Sequence, residues 1–317
     1  MKKILITGAL GQIGSELTTS LRAKYGNENV IISDIREEVK GSLKDGPYEQ
    51  LNILDKQKME EIIQKYEIDS VFHMAALLSA TGEKNPQLCW DVNMNGTINL
   101  LDLGVKLGLE KIFVPSSIAV WGDGIPLDGT PQESVLRPTT MYGVTKVAGE
   151  AICNYYQQKF GLDVRGLRYP GIISSETLPG GGTTDYAVEI FYEAIQKGTY
   201  SCFLEEGATL PMMYMSDCVK GTIGLMEADI EKLNYHADYN IAAVSFSPKE
   251  LAGEIKKHIP EFEISYSPDY RQKIAASWPR SINDSVARSD WGWEHEFGLS
   301  KMTKDMIEKL SLKLKKE

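Results

Sequence analysis

ITGALGQIGSEL fills residues 6–17, with glycines at Gly8, Gly11 and Gly14. The β-branched run KILITG (residues 3–8) leads into it and reads as a strand. The amphipathic stretch GSELTTSLRAKYG (residues 14–26) leads out and reads as a helix. Glycines at this bend let the main chain turn tightly and come close to a phosphate. The first N–H groups of the helix, those of Gln12 and Ile13 among them, then have no partner inside the helix and suit an anion. A glycine triplet alone is a weak signal, and a plain strand-turn-helix with no ligand stays open. The strand before and the helix after supply the context that a dinucleotide site needs.

The next strand, VIISDI (residues 30–35), ends on Asp34, twenty residues past Gly14. A carboxylate there accepts hydrogen bonds from both hydroxyls of an adenosine ribose and repels a 2′-phosphate. Even with Arg36 nearby, this favours NAD over NADP. Ile35 follows it at the strand end. Further strands are expected at YEQLNI (48–53), SVFHMA (70–75), KIFVPSS (111–117) and VRGLRYP (164–170). Helices are expected at KQKMEEIIQKY (56–66) and MNGTINLLDLGVKLG (94–108). Strands alternating with helices predict an α/β fold with a doubly wound parallel sheet. At its carboxyl edge Asn52 and Ile53 can flank an adenine, and Met74, Ala75 and Ala76 leave room for a cofactor. Asn93 either bonds backbone across the sheet or caps locally. His73 reads as a packed or locally bonded side chain. Past about residue 170 the rhythm breaks. SSETLPGGGTTDY (174–186) reads as a loop, and helices with isolated strands follow. Residues 1–170 are thus expected to form the nucleotide domain, with a later strand near 239–243 returning to it. Residues 171–317 form mainly a smaller substrate lobe.

Charge narrows the function classes. The 34 Lys and Arg are outnumbered by 44 Asp and Glu, giving a net charge of −10. Only the tail LSLKLKKE is locally basic, so a nucleic-acid surface is not expected. The four cysteines and four histidines are scattered and form no C-x-x-C, which argues against a disulfide scaffold or a metal site. No apolar run approaches the ~18 residues of a membrane span, and no signal peptide precedes the first strand. A cytoplasmic protein with reduced thiols fits these features.

MYGVTKVAGE (residues 141–150) puts Tyr142 one helical turn before Lys146, so phenol and ammonium share a face. By itself the pair reads as an ordinary surface contact. Ser117, at the end of the fifth strand, changes its meaning. Strand ends and the helices that follow them meet at one edge of such a sheet, so hydroxyl, phenol and ammonium can converge there. The trio suits removal of a proton from an alcohol during hydride transfer. An ordinary phenol, with pKa about 10, is a poor base at neutral pH. Lowering it by ~3 units takes roughly 4 kcal/mol, which Lys⁺ and an oxidised nicotinamide could supply together.

With these residues the chain resembles the extended branch of the short-chain dehydrogenase/reductase superfamily. The resemblance implies a Rossmann-type sheet, Tyr142 as acid/base, Ser117 polarising the substrate oxygen, and Lys146 holding the nicotinamide ribose. It also implies cofactor contacts at Tyr169, Pro170 and Ile172. Within that branch LRYPGIIS (167–174) carries Gly171 where the sugar-nucleotide enzymes carry Asn. PGGGTTDYAVEIFYEA (179–194), LPMMYMSDC (210–218) and SWPRSINDSVARSDWGW (277–293) resemble the NAD-dependent L-threonine 3-dehydrogenases of short-chain type. That likeness implies oxidation of L-threonine at C3 to L-2-amino-3-oxobutanoate. Ser79, Ser116, Thr183 and Thr184 would hold the amino and carboxylate groups, and Trp278 would close over them. Each of these also reads as a loop, cap or core residue. A homodimer through the Tyr142 helix and the helix after Asn93 is implied as well. Two positions depart from the pattern: Asn52 stands where Asp is frequent, and Trp121 where Tyr is commoner. A nucleotide-sugar epimerase or dehydratase using the same trio remains the competing activity. A non-catalytic NAD-binding regulator is a third reading.

Overall fold

A computed structural model describes residues 1–178 and 182–315. Residues 179–181 of the glycine-rich loop, and the last two residues of the chain, lie outside the described residues.

The first half alternates as its sequence does. Strand β1 (Ile4–Thr7) is followed by α1 (Gln12–Tyr25), β2 (Val30–Asp34), β3 (Tyr48–Gln50), α2 (Lys56–Lys65) and β4 (Ser70–His73). Two short helices, α3 (Ser79–Lys84) and α4 (Pro86–Trp90), lead into α5 (Gly96–Leu107). Then come β5 (Lys111–Phe113), β6 (Ser116–Ser117), the long α6 (Met141–Phe160), β7 (Val164–Arg165) and β8 (Leu167–Tyr169). Six strands form a parallel sheet in the order β3-β2-β1-β4-β5-β7, the arrangement of a Rossmann fold. The order reverses between β1 and β4, which opens a crevice at their carboxyl ends.

Every residue of β1, β2 and β4 is buried, because helices cover both faces of the sheet. Side-chain alternation then feeds two cores. Ile4 and Ile6 pack with Leu17 and Leu21 of α1. Leu5 points the other way, to Met59 and Ile62 of α2 and Leu100 and Leu101 of α5. Helix α6 is held at its start by Thr140, whose hydroxyl accepts from the Gly143 N–H at 3.0 Å. It ends at Gly161 in the left-handed conformation.

The expected run KIFVPSS is cut in two. Pro115 has no N–H to give to a ladder, so β5 and β6 are separate strands in separate sheets. The run at residues 164–170 splits likewise at Gly166, and the expected strand at 48–53 is only Tyr48–Gln50.

The second half builds a lobe over one edge. It contains β9 (Gly171–Ile173), α7 (Tyr186–Lys197), β10 (Thr199–Cys202), β11 (Leu210–Tyr214) and α8 (Met215–Glu227). Strands β12 (Tyr239–Asn240) and β13 (Val244–Phe246), helix α9 (Pro248–Lys256) and β14 (Glu263–Tyr266) follow. Helices α10 (Tyr270–Ala276), α11 (Ser285–Trp291) and α12 (Leu299–Leu314) end it. β11 lies between β9, parallel, and β13, antiparallel. β12 runs parallel beside β8, which itself pairs with β6. A third core, with Trp121, Tyr186, Phe191, Met212, Phe246 and Trp278, fills this lobe. The four cysteines are buried and unbonded to one another. Among the described residues no helix is long and apolar enough to cross a membrane.

Candidate functional site

The crevice between β1 and β4 is shaped by backbone contact. Gly8 has φ +64°, and a Cβ there would lie 2.6 Å from the Cα and N of Ala75. Glycine is therefore required both by the turn and by the closeness of the two strand ends. Helix α1 starts at Gly11 with no side-chain cap and no acidic residue in its first turn. Its leading N–H groups are thus left without a side-chain cap, the arrangement that suits an anion.

Asp34 ends β2 next to this crevice. It is buried, and its Oδ2 accepts from the Leu10 N–H at 3.1 Å. Arg36 grips both carboxylate oxygens, Nε to Oδ1 at 2.9 Å and Nη2 to Oδ2 at 3.1 Å. Burial pushes the carboxyl up, but the Arg36 bonds and the Leu10 N–H outweigh it, leaving Asp34 below its ordinary value. An ionised acceptor suits ribose hydroxyls. Ile35 is exposed beside it, Ile53 is buried against Gly96, and Asn52 accepts from the Leu54 N–H in a local turn. Met74 donates its N–H to Thr7, and Ala75 and Ala76 line the gap as partly buried small residues.

Ser117, Tyr142 and Lys146 come together. The Ser117 hydroxyl lies close enough to the Tyr142 phenol to favour its ionised form, and it accepts from the Ala119 N–H at 3.2 Å. Lys146 Nζ lies 5.4 Å from the centre of the Tyr142 ring and donates to the Pro115 carbonyl at 2.7 Å. With the protein's own groups alone the phenol is not acidified. Burial pushes Tyr142 up to about 12, against the Ser117 hydroxyl, and pushes Lys146 down to about 8. Desolvation penalises each charged form, and with the protein's own groups it wins. A lowered phenol therefore needs a further cation in the cleft.

Other positions fall out unevenly. Ser79 opens α3, whose Gly82 faces the Tyr142 Cβ, and Glu83 accepts from the Met141 N–H at 2.6 Å. Ser79 therefore lies on an element docked against the start of α6. Thr183 is buried, Thr184 sits against β9, and Trp278 is buried in the lobe core onto which Tyr142 also packs.

Ser116 is not brought to the cleft. Strand neighbours point opposite ways, and its hydroxyl donates to Glu150. Asn93 spends its side chain on Leu77 and Thr145, accepting from the Leu77 N–H at 2.8 Å and donating to the Thr145 hydroxyl at 3.0 Å. It thereby ties the post-β4 loop to α6, the backbone-bonding alternative of the two. The Tyr169 phenol points to Thr222 on α8, so only its main chain can meet the cleft. The residue that sequence reasoning missed is Glu150, the partner of Arg168, a residue that reads from the sequence as a structural arginine on the sixth strand. Both are buried, and Arg168 Nε and Nη2 reach Glu150 at 2.9 and 2.8 Å directly behind the trio. Glu150 lies one turn past Lys146, and that spacing was the available signal.

This fold and this site are those of an NAD-dependent enzyme. Residues 4–258 match the family model described as the NAD dependent epimerase/dehydratase family, and the chain belongs to that family. Its cofactor is NAD. Particular relatives sharpen the picture. An uncharacterized epimerase/dehydratase of Staphylococcus saprophyticus is 49% identical, spanning 100% of this chain and 99% of its own. The L-threonine dehydrogenase of Clostridium difficile is 51% identical with TM-score 0.97, covering 99% of this chain and 98% of that one. A monomeric L-threonine 3-dehydrogenase from a metagenome is 50% identical with TM-score 0.93, covering 98% and 99%.

Proposed function

We propose that the chain oxidises L-threonine at C3 to L-2-amino-3-oxobutanoate. The observation that carries this is the convergence of Ser117, Tyr142 and Lys146 at the crevice. The full-length likeness to threonine dehydrogenases at about half identity supports the choice of substrate. Residues 1–170 hold the cofactor and residues 171–317 mainly the substrate.

Bound NAD⁺ supplies the hydride acceptor and a positive ring. The α1 N-terminus holds the pyrophosphate and Asp34 the adenosine ribose. Lys146 reaches the second ribose and adds its charge beside the phenol. Ser117 orients the substrate hydroxyl. Tyr142 takes its proton as phenolate, a state favoured once cations collect around a dry phenol. Ser79, Thr183 and Thr184 hold the amino acid, and Trp278 backs the wall. We also assign the chain to the cytoplasm, where its thiols stay reduced. Homodimerisation through α5 and α6 rests on exposed Val105, Val144, Tyr155 and Phe160 along them. Its check is the solution mass by light scattering, with a single-chain mass refuting it.

The test mixes the protein with NAD⁺ and L-threonine and follows NADH, with L-allo-threonine, L-serine and NADP⁺ in parallel. Turnover with L-threonine and NAD⁺ is expected. Tyr142→Phe should bind NAD⁺ normally and lose at least about 100-fold in kcat, the usual scale of acid–base catalysis. NAD⁺ binding with no turnover of any amino alcohol would sink the reading and send the search to nucleotide sugars.

A further inference from the structure

Gly171 opens β9, pairs with Met212 of β11 and is buried. It is not among the residues with positive φ, so its backbone would accept any side chain. Space would not. A Cβ at this position would lie 2.8 Å from both Cβ and Cγ2 of Thr184, and would also strike the Met212 sulfur. Met212 has a flexible end and can shift. Thr184 cannot shift alone. It belongs to a turn in which the Gly182 N–H donates to Asp185 Oδ2 at 2.7 Å and the Asp185 N–H to the Gly182 carbonyl at 3.2 Å. The Thr184 carbonyl also accepts from Ala187 at 3.1 Å, joining the turn to α7. That helix is rooted in the lobe core by fully buried Tyr186, Ile190 and Phe191. Tyr142 packs on the same core. The Thr184 seat on β9 therefore belongs to the same lobe whose core Tyr142 packs against.

We propose that Gly171 is a specificity-determining position, which keeps the substrate cleft small by letting the Thr184 turn rest directly on the strand. The proposal rests on the threonine reading above. Any side chain at 171 pushes the turn off β9, lengthens the cleft and loosens the grip on a four-carbon amino acid. A tightly packed contact relieves an added methyl only by moving something, and here the turn is what moves.

The experiment compares wild type, Gly171→Ala and Gly171→Ala/Thr184→Gly. Three readouts are taken: kinetics, NAD⁺ affinity and hydrogen exchange of the amides of residues 182–187. Gly171→Ala should raise KM for L-threonine at least about fivefold with a smaller change in kcat. The ratio of kcat/KM for a 3-hydroxy amino acid one methylene longer, over that for threonine, should rise at least about threefold. NAD⁺ affinity should stay within about twofold, and exchange at 182–187 should speed up. The double variant should recover the exchange protection, because the colliding side chain is gone. If Gly171→Ala does not fold, the double variant must fold and bind NAD⁺, and its failure too would overturn the collision as the cause.

Unchanged exchange, an unchanged KM, or threonine and NAD⁺ affinity falling together would each overturn the proposal. A wild type silent toward L-threonine would remove the substrate reading and the specificity claim with it. Altered exchange in that case would still mark the Thr184 contact as real, so the two failures are told apart.

Discussion

His73 is the place to test the electrostatics behind the trio. The imidazole is buried at the end of β4. Its Nδ1 shares a hydrogen bond with the Thr7 hydroxyl at 2.9 Å, and Nε2 has no partner among the described residues. Burial, helped by the nearby Lys146 charge, pushes its pKa down from 6.5 to about 3. A base whose folded pKa is depressed is neutral in the folded protein while the unfolded chain still takes up a proton. The resulting stability is present above about pH 6.5 and is lost as pH falls toward about 3. Between about pH 8 and about pH 5.5 the loss amounts to about 1.4 kcal/mol, at 1.36 kcal/mol per unit. Both values lie above the pI of about 5.1, so the protein keeps a negative charge. Urea unfolding of wild type and His73→Gln at the two pH values isolates this group, since other titrations cancel in the difference of slopes. The variant should lose about 1.4 kcal/mol less than wild type on acidification, whatever its absolute stability. Equal pH dependence in the two proteins would refute the buried neutral imidazole.

Three further outcomes follow from the geometry. Gly8→Ala places a methyl group against the Ala75 backbone at a left-handed φ. NAD⁺ affinity, read by quenching of intrinsic fluorescence, should fall at least about tenfold, and unchanged binding would count against the cradle. Glu150→Gln removes the charge that Arg168 neutralises, with both groups nearly out of water, and should cost about 3–5 kcal/mol in urea unfolding. Ser116→Ala, which removes only a hydroxyl bond to the same carboxylate, should cost about 2 kcal/mol. A Glu150→Gln loss no larger than that would show the pair to be idle.

Local chemistry was legible where it depends on neighbours in sequence. Gly8, Gly11 and Gly14 announced the β1–α1 turn because a tight bend between strand and helix has few solutions. Tyr142 and Lys146 share a face by helical period alone. Pro115 could have warned that KIFVPSS breaks, since its missing N–H is visible in one letter. Strand alternation could likewise have ruled Ser116 out once Ser117 was placed toward the phenol. Other features need the fold. The raised phenol of Tyr142 and the lowered ammonium of Lys146 come from burial, which spacing does not report. Arg168 meets Glu150 only because the fold brings the β8 side chain to α6, and Thr184 meets Gly171 only because a turn before α7 folds back onto β9.

The late arrival of β12 bears on how the chain is made. Its hydrogen-bonding partner, β8, is finished by Tyr169, yet β12 begins only at Tyr239. On a ribosome adding about 5–20 residues each second, the outer edge of β8 stays open for several seconds. During that interval Arg168 also lacks the Asn240 oxygen, which it reaches at 3.1 Å in the finished protein. An open strand edge is a template for pairing with other chains. Clones cut after residue 170 would carry that edge permanently, and aggregation of such fragments is the outcome to plan for. A hybrid that exchanges the two halves with a relative's should keep residues 239–240 with the donor of β8.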